Sequence, residues 1–318
     1  GGHDIPCSMI VTVTPNPTLD RTLVVRNYAI GGVHRASEML LTAGGKGLNV
    51  ARAVHALGHP VLALSLIGGV TGRVLAQIAT QEGLPHEYIE ITGETRVTTV
   101  VVDPDNSSST VINEAGPTIS EAEWNRLVTM VRSRAASADL VALCGRLPPG
   151  LSISCLPDLV RTLTADGNRV AVDTSGEPLR LALSAAPWLI KVNTDEAEQA
   201  LGWSVHTVDD ARRAARQMRA RGTCFVILTR GAPGAVLSAD EGEWLATPPA
   251  VRPLSLVGSG DALLGGWLVG LLRGDSVAES LRLGVAVAAA NVLTLGTAIF
   301  RQEDLAHLLP RVQLQRLA

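Results

Sequence analysis

The strongest signal for chemistry in this sequence is the stretch from 257 to 266, Val-Gly-Ser-Gly-Asp-Ala-Leu-Leu-Gly-Gly. Gly258 and Gly260 allow a tight turn and let the backbone approach a ligand closely. Asp261 stands where a helix should begin, because apolar residues recur after it at helical spacing. These residues are Leu263, Leu264, Trp267, Leu268, Leu271 and Leu272. The free N–H groups and the positive dipole end of such a helix suit a phosphate.

Asp261 is unusual in such a turn, because a carboxylate repels the anion that the helix N-terminus would attract. It fits if the carboxylate accepts the proton of a nucleophile that attacks phosphorus. The motif alone is equally compatible with an aspartate that only caps the helix. Other motifs in the chain must therefore distinguish catalysis from capping.

A second glycine-rich turn, Ala43-Gly-Gly-Lys-Gly-Leu-Asn49, opens a helix that Gly58 closes. It is not a Walker A loop, because no glycine lies five residues before Gly45 and Gly47 stands where that motif has Ser or Thr. Lys46 beside the N–H groups of a helix favours a second anion site. The alternative is a solvated lysine in a flexible turn.

The composition of the 318 residues narrows the class of protein. A net charge of −3 disfavours a nucleic-acid binder, whose surface would be strongly basic. The four cysteines are scattered, which favours neither a disulfide framework nor a zinc site and fits a reducing cytoplasm. No apolar run is long enough to span a membrane. Residues 1–8 precede Met9 and lack the apolar core of a signal peptide, so we expect them to be a remnant of expression.

Alternating strands and helices predict a mainly parallel sheet covered by helices on both faces. We expect strands at 10–13, 61–66, 140–143, 170–172, 188–192 and 223–228, and helices at 46–58, 71–82, 120–137, 155–166, 208–221, 261–273 and 276–293. Ligands bind beyond the carboxyl ends of the strands in such sheets. Because the polar and glycine-rich motifs follow strand ends, we expect one shared crevice in a single domain over residues 9–318.

Two stretches depart from this pattern and predict short β elements in place of crossover helices. Residues 21–43 show strand-like alternation that Gly31-Gly32 interrupts. Residues 96–113 have the pattern of a hairpin around Pro104-Asp-Asn-Ser. Arg96 begins that hairpin, and spacing alone does not distinguish a ligand from an exposed arginine there.

Eight motifs in order resemble those of the PfkB, or ribokinase-like, carbohydrate kinases, and more narrowly their branch of 1-phosphofructokinases and tagatose-6-phosphate kinases. The motifs are Asn16-Pro-x-x-Asp20, Gly44-Gly-Lys-Gly-x-Asn49, Thr95-Arg96, Gly145-x-Leu-Pro-Pro-Gly150, Asp173-x-Ser-Gly176, Asn193-x-x-Glu196, Thr229-x-Gly-x-x-Gly234 and Gly258-x-Gly-Asp261. The resemblance covers residues 9–310. It implies a three-layer α/β/α fold with a small β-strand lid, formed by 21–43 and 96–113, that closes over the sugar.

The resemblance also implies the catalytic roles. Asp261 would be the base that takes the proton from the acceptor hydroxyl. The amides of Gly258, Ser259 and Gly260 would form an anion hole for the transferring phosphoryl group.

The nucleotide side of the site would contain Lys191, Asn193, Gly260 and a loop that holds the phosphates of ATP. That loop consists of Thr229, Arg230, Gly231, Ala232, Pro233 and Gly234. Glu196 would order Mg²⁺ through water, since hard cations prefer oxygen ligands. Whether K⁺ is a further cofactor stays open.

On the sugar side, the resemblance implies that Asp20 and Asn49, beside Gly44 and Gly45, bind hydroxyls. Lys46 and Arg96 would hold the phosphate that the sugar already carries. The chain departs from the family pattern at Arg146, which replaces a serine and is either a third phosphate ligand or a residue facing solvent. Thr98, Val192, Ser259 and Ala262 are the other departures, and none of them removes the base, Glu196 or Lys46.

The expected activity is ATP-dependent phosphorylation of a ketohexose phosphate, with fructose 1-phosphate as the first candidate. Tagatose 6-phosphate and fructose 6-phosphate are alternatives on the same scaffold. A kinase of an uncharged sugar or nucleoside would leave Lys46 and Arg96 as surface charges, and a sugar-phosphate-binding regulator would have lost turnover. We expect a cytoplasmic homodimer joined through the lid, with neither nucleic acid nor membrane as partner.

Overall fold

The computed structural model describes residues 9–317, so the expectation for residues 1–8 lies outside the described residues. The strands are β1 (Ile10–Thr14), β2 (Thr18–Val24), β3 (Glu38–Gly44), β4 (Val61–Ile67), β5 (His86–Glu90), β6 (Arg96–Asp103), β7 (Ser108–Asn113), β8 (Leu140–Cys144), β9 (Arg169–Asp173), β10 (Leu189–Asn193), β11 (Phe225–Thr229), β12 (Ala235–Ala239), β13 (Gly242–Thr247) and β14 (Gln313–Leu317). The helices are α1 (Lys46–Ala56), α2 (Gly69–Gln81), α3 (Glu121–Ala135), α4 (Cys155–Ala165), α5 (Gly176–Ser184), α6 (Thr194–Leu201), α7 (Val208–Arg219), α8 (Ser259–Leu272), α9 (Val277–Asn291) and α10 (Gln302–Leu308).

The large sheet has the strand order β14-β13-β12-β11-β10-β9-β8-β1-β4-β5. The seven strands from β11 to β5 run parallel, whereas β12, β13 and β14 pair antiparallel at one edge. The predicted, mainly parallel sheet is thus confirmed. Strands β5, β12, β13 and β14 are not among the predicted ones. In β5 the sequence His-Glu-Tyr-Ile-Glu is largely polar, because an edge strand of the sheet need not be buried on both faces.

Helices cover both faces of the large sheet, as its side-chain alternation requires. In β1, Ile10 contributes to the core beneath α1, α2, α8, α9 and α10, whereas Val11 and Val13 contribute to the core beneath α3 to α7. The architecture is therefore the expected three-layer α/β/α fold. Among the helices of residues 9–317, none is both long enough and apolar enough to cross a membrane.

The helix that carries Asp261 is fixed by close packing of α8 against α9. A Cβ atom on Gly266 would lie only 2.9 Å from the Cα of Gly284, and a Cβ on Gly284 would lie 2.6 Å from the carbonyl oxygen of Leu263. The two backbones can approach this closely only because both positions are glycine. Trp267 completes the contact by donating its indole N–H to the carbonyl of Val277 at 3.3 Å.

The two predicted β elements form a separate small sheet in the order β3-β2-β6-β7. Strand β2 pairs antiparallel with β3 and parallel with β6, and β6 pairs antiparallel with β7. The small sheet reaches the carboxyl edge of the large one, because β3 leads directly into α1 at Gly45. It therefore brings Asp20 of β2 next to the start of α1.

Candidate active site

Asp261 is the third residue of α8 and is 6% exposed. Its Oδ2 accepts a hydrogen bond of 2.8 Å from Nδ2 of Asn49, which lies in α1. The helix begins at Gly258, whose φ of 79° is in the left-handed region that glycine adopts without strain. The two helices that open with glycine-rich turns thus meet at Asp261.

The buried carboxylate of Asp173, at the end of β9, binds two lysines. Its Oδ1 accepts from Nζ of Lys46 at 2.7 Å, and its Oδ2 accepts from Nζ of Lys191 at 2.9 Å. Burial by itself would raise the pKa of Asp173, but Lys191 and Lys46 outweigh that effect and the pKa is lowered. Asp173 is therefore ionised at neutral pH.

The environment of Asp261 poises it as a base near neutral pH. Burial and the negative charge of Asp173 raise the pKa of Asp261 from 3.8 to about 6, against the opposing effects of Lys191, Lys46 and the Asn49 amide. A group with this pKa is mostly ionised at pH 7 and still has a useful affinity for a proton. This combination is what general base catalysis requires.

The first turn of α8 offers backbone N–H groups that have no partner within the helix. Lys191 adds a positive charge there, since a Cβ atom on Gly260 would lie 2.8 Å from its Nζ. A Cβ atom on Gly258 would likewise lie 2.8 Å from the backbone nitrogen of Ala298. Glycine at both positions lets a cation and a loop pack against an anion-binding helix terminus.

Asn193 and Glu196 form a capping box at the start of α6. The Asn193 side chain accepts from the N–H of Glu196 at 2.8 Å, and Oε2 of Glu196 accepts from the N–H of Asn193 at 2.9 Å. The other carboxylate oxygen, Oε1, accepts from Nζ of Lys46 at 3.1 Å. Glu196 therefore belongs to the same charged cluster as Lys46 and Asp173.

The loop from 229 to 234 is the tight connection between β11 and β12. Thr229 lies opposite Asn193 in the parallel pairing of β11 with β10, so the predicted nucleotide-side residues are neighbours. The N–H of Arg230 donates to the carbonyl of Gly234 at 2.8 Å, and the N–H of Gly234 donates to that of Gly231 at 2.9 Å. The loop is thus held in one shape by its own backbone.

Asp20 lies in β2, against Gly44 at the start of α1, and is 4% exposed. Oδ2 accepts from the hydroxyl of Thr297 at 3.4 Å, whereas the buried Oδ1 has no partner among the described residues. Burial raises the pKa of Asp20 to about 6, and Arg52 and Arg96 oppose the rise. A buried acceptor without a partner is an atom to which a sugar hydroxyl can donate.

The glycines at the start of α1 make room for site residues. A Cβ atom on Gly44 would lie 2.2 Å from Oδ2 of Asp20, and one on Gly45 would lie 2.7 Å from the methyl group of Thr14. Any side chain on Gly44 would therefore displace Asp20. These two predicted substrate-binding residues act in this structure by leaving space.

Arg96 and Arg146 lie close enough for each charge to affect the other. Burial and the charge of Arg146 lower the pKa of Arg96, whereas Asp20 and Glu114 raise it. Arg96 also donates to the carbonyl of Asn16 at 3.1 Å, and Arg146 donates from Nε to the hydroxyl of Ser175 at 3.2 Å. Two guanidinium groups whose charges affect each other, one of them near Asp20, are a favourable setting for a phosphate dianion.

Lys46 and Arg96, which the resemblance pairs, have different contacts in the structure. Lys46 contacts Asp173 and Glu196, whereas Arg96 lies with Arg146 and Asp20. The role of Lys46 as a ligand of the sugar's own phosphate stays a prediction, and its present contacts place it in the cluster around the base.

Sequence reasoning omitted two residues that matter in this geometry, Asp173 and Arg52. Asp173 is part of a motif to which the sequence assigns no separate role, although a carboxylate at the end of a buried strand is itself a signal in a parallel sheet. Arg52 belongs to none of the motifs, although it lies three residues after Asn49 and hence on the same face of α1.

A three-layer fold in which a glycine-rich turn opens a helix with a buried carboxylate, close to two lysines, fits a phosphotransferase. Consistently, the model of the PfkB family of carbohydrate kinases matches residues 16–304. The chain belongs to this family, which confirms the resemblance.

Similar proteins are found along nearly the whole chain. It is 33% identical over 306 residues to 1-phosphofructokinase of Escherichia coli, covering 96% of this chain and 98% of that protein. It is 36% identical over 298 residues to 1-phosphofructokinase of Haloferax volcanii, covering 93% and 95%. Phosphofructokinase-2 of Escherichia coli, solved in complex with substrates and products, has a TM-score of 0.89 at 29% identity and covers 95% and 98%. That enzyme has also been solved with potassium and as a tetrameric inhibited form.

Replacing the proposed base should abolish most turnover. We expect Asp261→Asn to lower kcat by on the order of 10²- to 10⁴-fold, because an amide cannot accept the proton. Steady-state ADP release measures the loss. Asp209→Asn is the matched control, since Asp209 also lies in the first turn of a helix but is exposed. Near-native kcat in the Asp261 variant would contradict the assignment.

Enzyme activity should fall at acid pH, because both Asp261 and Asp20 become protonated there. The pKa values of Asp261 and Asp20 are both raised to about 6, so kcat/KM should drop steeply as the pH falls through 6. Unfolding is not the expected cause, because a carboxyl group with a raised pKa in the folded state stabilises that state as it takes up a proton. In Asp20→Asn the acid limb of the plot of log(kcat/KM) against pH should have the slope expected for the protonation of a single group, Asp261. A profile that is flat down to pH 5 would refute both roles.

Proposed function

We propose that this protein transfers the γ-phosphoryl group of ATP to fructose 1-phosphate and so forms fructose 1,6-bisphosphate. The observation that carries the proposal is Asp261, a buried carboxylate with a pKa near 6 in the first turn of α8. The choice of substrate is supported by the names of the two 1-phosphofructokinases, which are similar over more than nine-tenths of the chain.

In this mechanism Asp261 accepts the proton of the attacking hydroxyl. The hydrogen bond from Asn49 orients the Asp261 carboxylate. The N–H groups at the start of α8 and the ammonium of Lys191 stabilise the charge on the transferring phosphoryl group. The site thereby supplies alignment and electrostatic stabilisation, which are the main requirements of phosphoryl transfer.

The acceptor sugar would be held by Asp20, Arg96 and Arg146. Oδ1 of Asp20, which lacks a partner, accepts a sugar hydroxyl. Arg96 and Arg146 bind the phosphate that the sugar already carries, because paired guanidinium groups match a dianion. A cationic pocket of this kind favours a phosphorylated over an uncharged acceptor.

The oxygen atoms of the site fit a magnesium ion that is bound together with ATP. Within residues 9–317 no group of three or more His, Cys, Asp or Glu side chains could hold a metal, and both oxygens of Glu196 already accept hydrogen bonds. Mg²⁺ keeps most of its waters and binds phosphate oxygens, so it needs no protein cage. Glu196 would hold it through water, and the ion would neutralise charge on the phosphates.

The proposal extends to the assembly and the location of the enzyme. The small sheet would act as a lid over the sugar within one domain, and its exposed strand β7, which includes Val111 and Ile112, would form a homodimer interface. Within residues 9–317, Cys144, Cys155 and Cys224 form no disulfide, and we propose a reducing compartment such as the cytoplasm.

A panel of acceptors tests the proposed function. ADP release is measured with Mg-ATP and K⁺ for fructose 1-phosphate, fructose 6-phosphate, tagatose 6-phosphate and fructose, and phosphorus NMR identifies the product. We expect kcat/KM for fructose 1-phosphate to exceed each of the others by at least about 10-fold, because the site pairs charges with a phosphate in one position. Turnover of none of the phosphosugars, or a preference for fructose, would refute the proposal.

Replacing Arg146, the arginine that departs from the family pattern, should weaken binding of the sugar phosphate selectively. We expect Arg146→Ser to raise KM for fructose 1-phosphate on the order of 10-fold with kcat little changed, since a contact with a remote phosphate is the same in ground state and transition state. Arg180→Ser is the control, because Arg180 is an exposed arginine on the neighbouring helix α5. An unchanged KM in the Arg146 variant would show that this side chain does not bind the phosphate.

A further inference from the structure

Arg52 is a buried arginine that neither the motifs nor the proposed mechanism uses. It is 8% exposed and lies on α1, one turn after Asn49. Nη1 donates to Oδ1 of Asn49 at 3.1 Å and to the carbonyl of Thr297 at 3.0 Å, while Nη2 donates to the carbonyl of Ala43. Nε donates to Oε2 of Glu82 at 3.0 Å. One guanidinium thus joins four separate segments of the chain.

The contact with Asn49 determines which end of that amide faces the base. Because Oδ1 accepts from Arg52, the NH₂ group points to Asp261 and donates to it. The two ends of an amide are almost equal in size, so packing alone hardly distinguishes them. The NH₂ end stabilises the ionised carboxylate, whereas the oxygen end would repel it.

The contact with Thr297 extends this effect to the sugar side and to the anion hole. The hydroxyl of Thr297 donates to Asp20, and the Cα of Thr297 would lie 2.9 Å from a Cβ atom on Gly258. Arg52 therefore holds the loop that touches both Asp20 and the first residue of the catalytic turn. Its positive charge also opposes the effect of burial on the pKa of Asp20.

We propose that Arg52 is a positioning residue for phosphoryl transfer, which fixes the Asn49 amide toward the base and the Thr297 loop against the anion hole and the sugar-binding aspartate. This inference rests on the proposed role of Asp261 as the base. Lysine would be a poor substitute, because its ammonium is a single point charge and cannot reach four acceptors spread around a planar fork.

The direct test is the titration of Asp261 in protein with ¹³C-labelled aspartate carboxyls, with Asp261→Asn identifying the resonance. We expect the pKa of Asp261 to rise in Arg52→Lys, because the amide is no longer held with its NH₂ group toward the carboxylate. The charged groups that face Asp261, namely Asp173, Lys191 and Lys46, are the same in every variant. Glu82→Gln is the matched control, since it changes a partner of Arg52 at the end of α2 but keeps the hydrogen bond from Arg52 to Asn49, so the pKa of Asp261 should be unchanged.

A double-mutant cycle separates positioning from a general structural role. In an Asn49→Ala background, Arg52→Lys should produce no further change in the pKa of Asp261, because the amide through which it acts is gone. An equal rise in both backgrounds, or no rise with Asn49 present, would overturn the inference. Arg52→Gln, measured in parallel, should raise the pKa of Asp261 in the same way and keeps the test open if the lysine variant does not fold.

Kinetics give an independent readout of the same role. We expect Arg52→Lys to lower kcat by on the order of 10- to 100-fold, as misplaced catalytic groups do, with the acid limb of the profile moved to higher pH. Unchanged kcat and an unmoved limb would overturn the inference. The titration needs no substrate, so it decides the role of Arg52 even if the unaltered protein fails to phosphorylate fructose 1-phosphate, an outcome that refutes only the proposed function.

Discussion

Two lysines keep the buried carboxylate of Asp173 ionised, and the remainder of the site depends on this pair of contacts. A buried carboxylate without partners would become protonated or would destabilise the fold by several kcal/mol. Because Lys46 comes from the start of α1 and Lys191 from β10, the same contacts also fix a helix terminus against the edge of the sheet. Burial raises the pKa of Asp261, and the negative charge retained on Asp173 raises it further.

This arrangement explains why a base and an anion-binding helix terminus can share one turn. The N-terminus of α8 attracts negative charge and would lower the pKa of an exposed aspartate there, which would make it a very weak base. Burial and Asp173 act in the opposite direction and raise the pKa of Asp261 to about 6. The ammonium group of Lys191 also reaches this turn, and it can do so only because Gly260 has no side chain.

Much of the fold could be predicted from local pattern. The helix predicted at 120–137 is α3, which begins with a capping box of Ser120 and Glu123, and the apolar spacing after Asp261 predicted α8. The two edge strands β5 and β14 could not be predicted in this way, because they are half-exposed and lack a continuous apolar run. For the site, the motifs identified Asp261, Asn49 and Glu196 as candidates, and the structure places all three in or beside one charged cluster.

The sequence by itself determined the glycine-rich turns, the helices that they open and the position of each motif after a strand, because these depend on residues a few positions apart. Only the tertiary structure decided which charges meet. Lys46 and Asp173 are separated by 127 residues, and Asn49 and Asp261 by 212. Contacts between such residues depend on strand order and helix packing, which local spacing does not encode. For that reason Lys46 is found beside two carboxylates, and Arg52 became visible as the link between base and sugar side only in the folded chain.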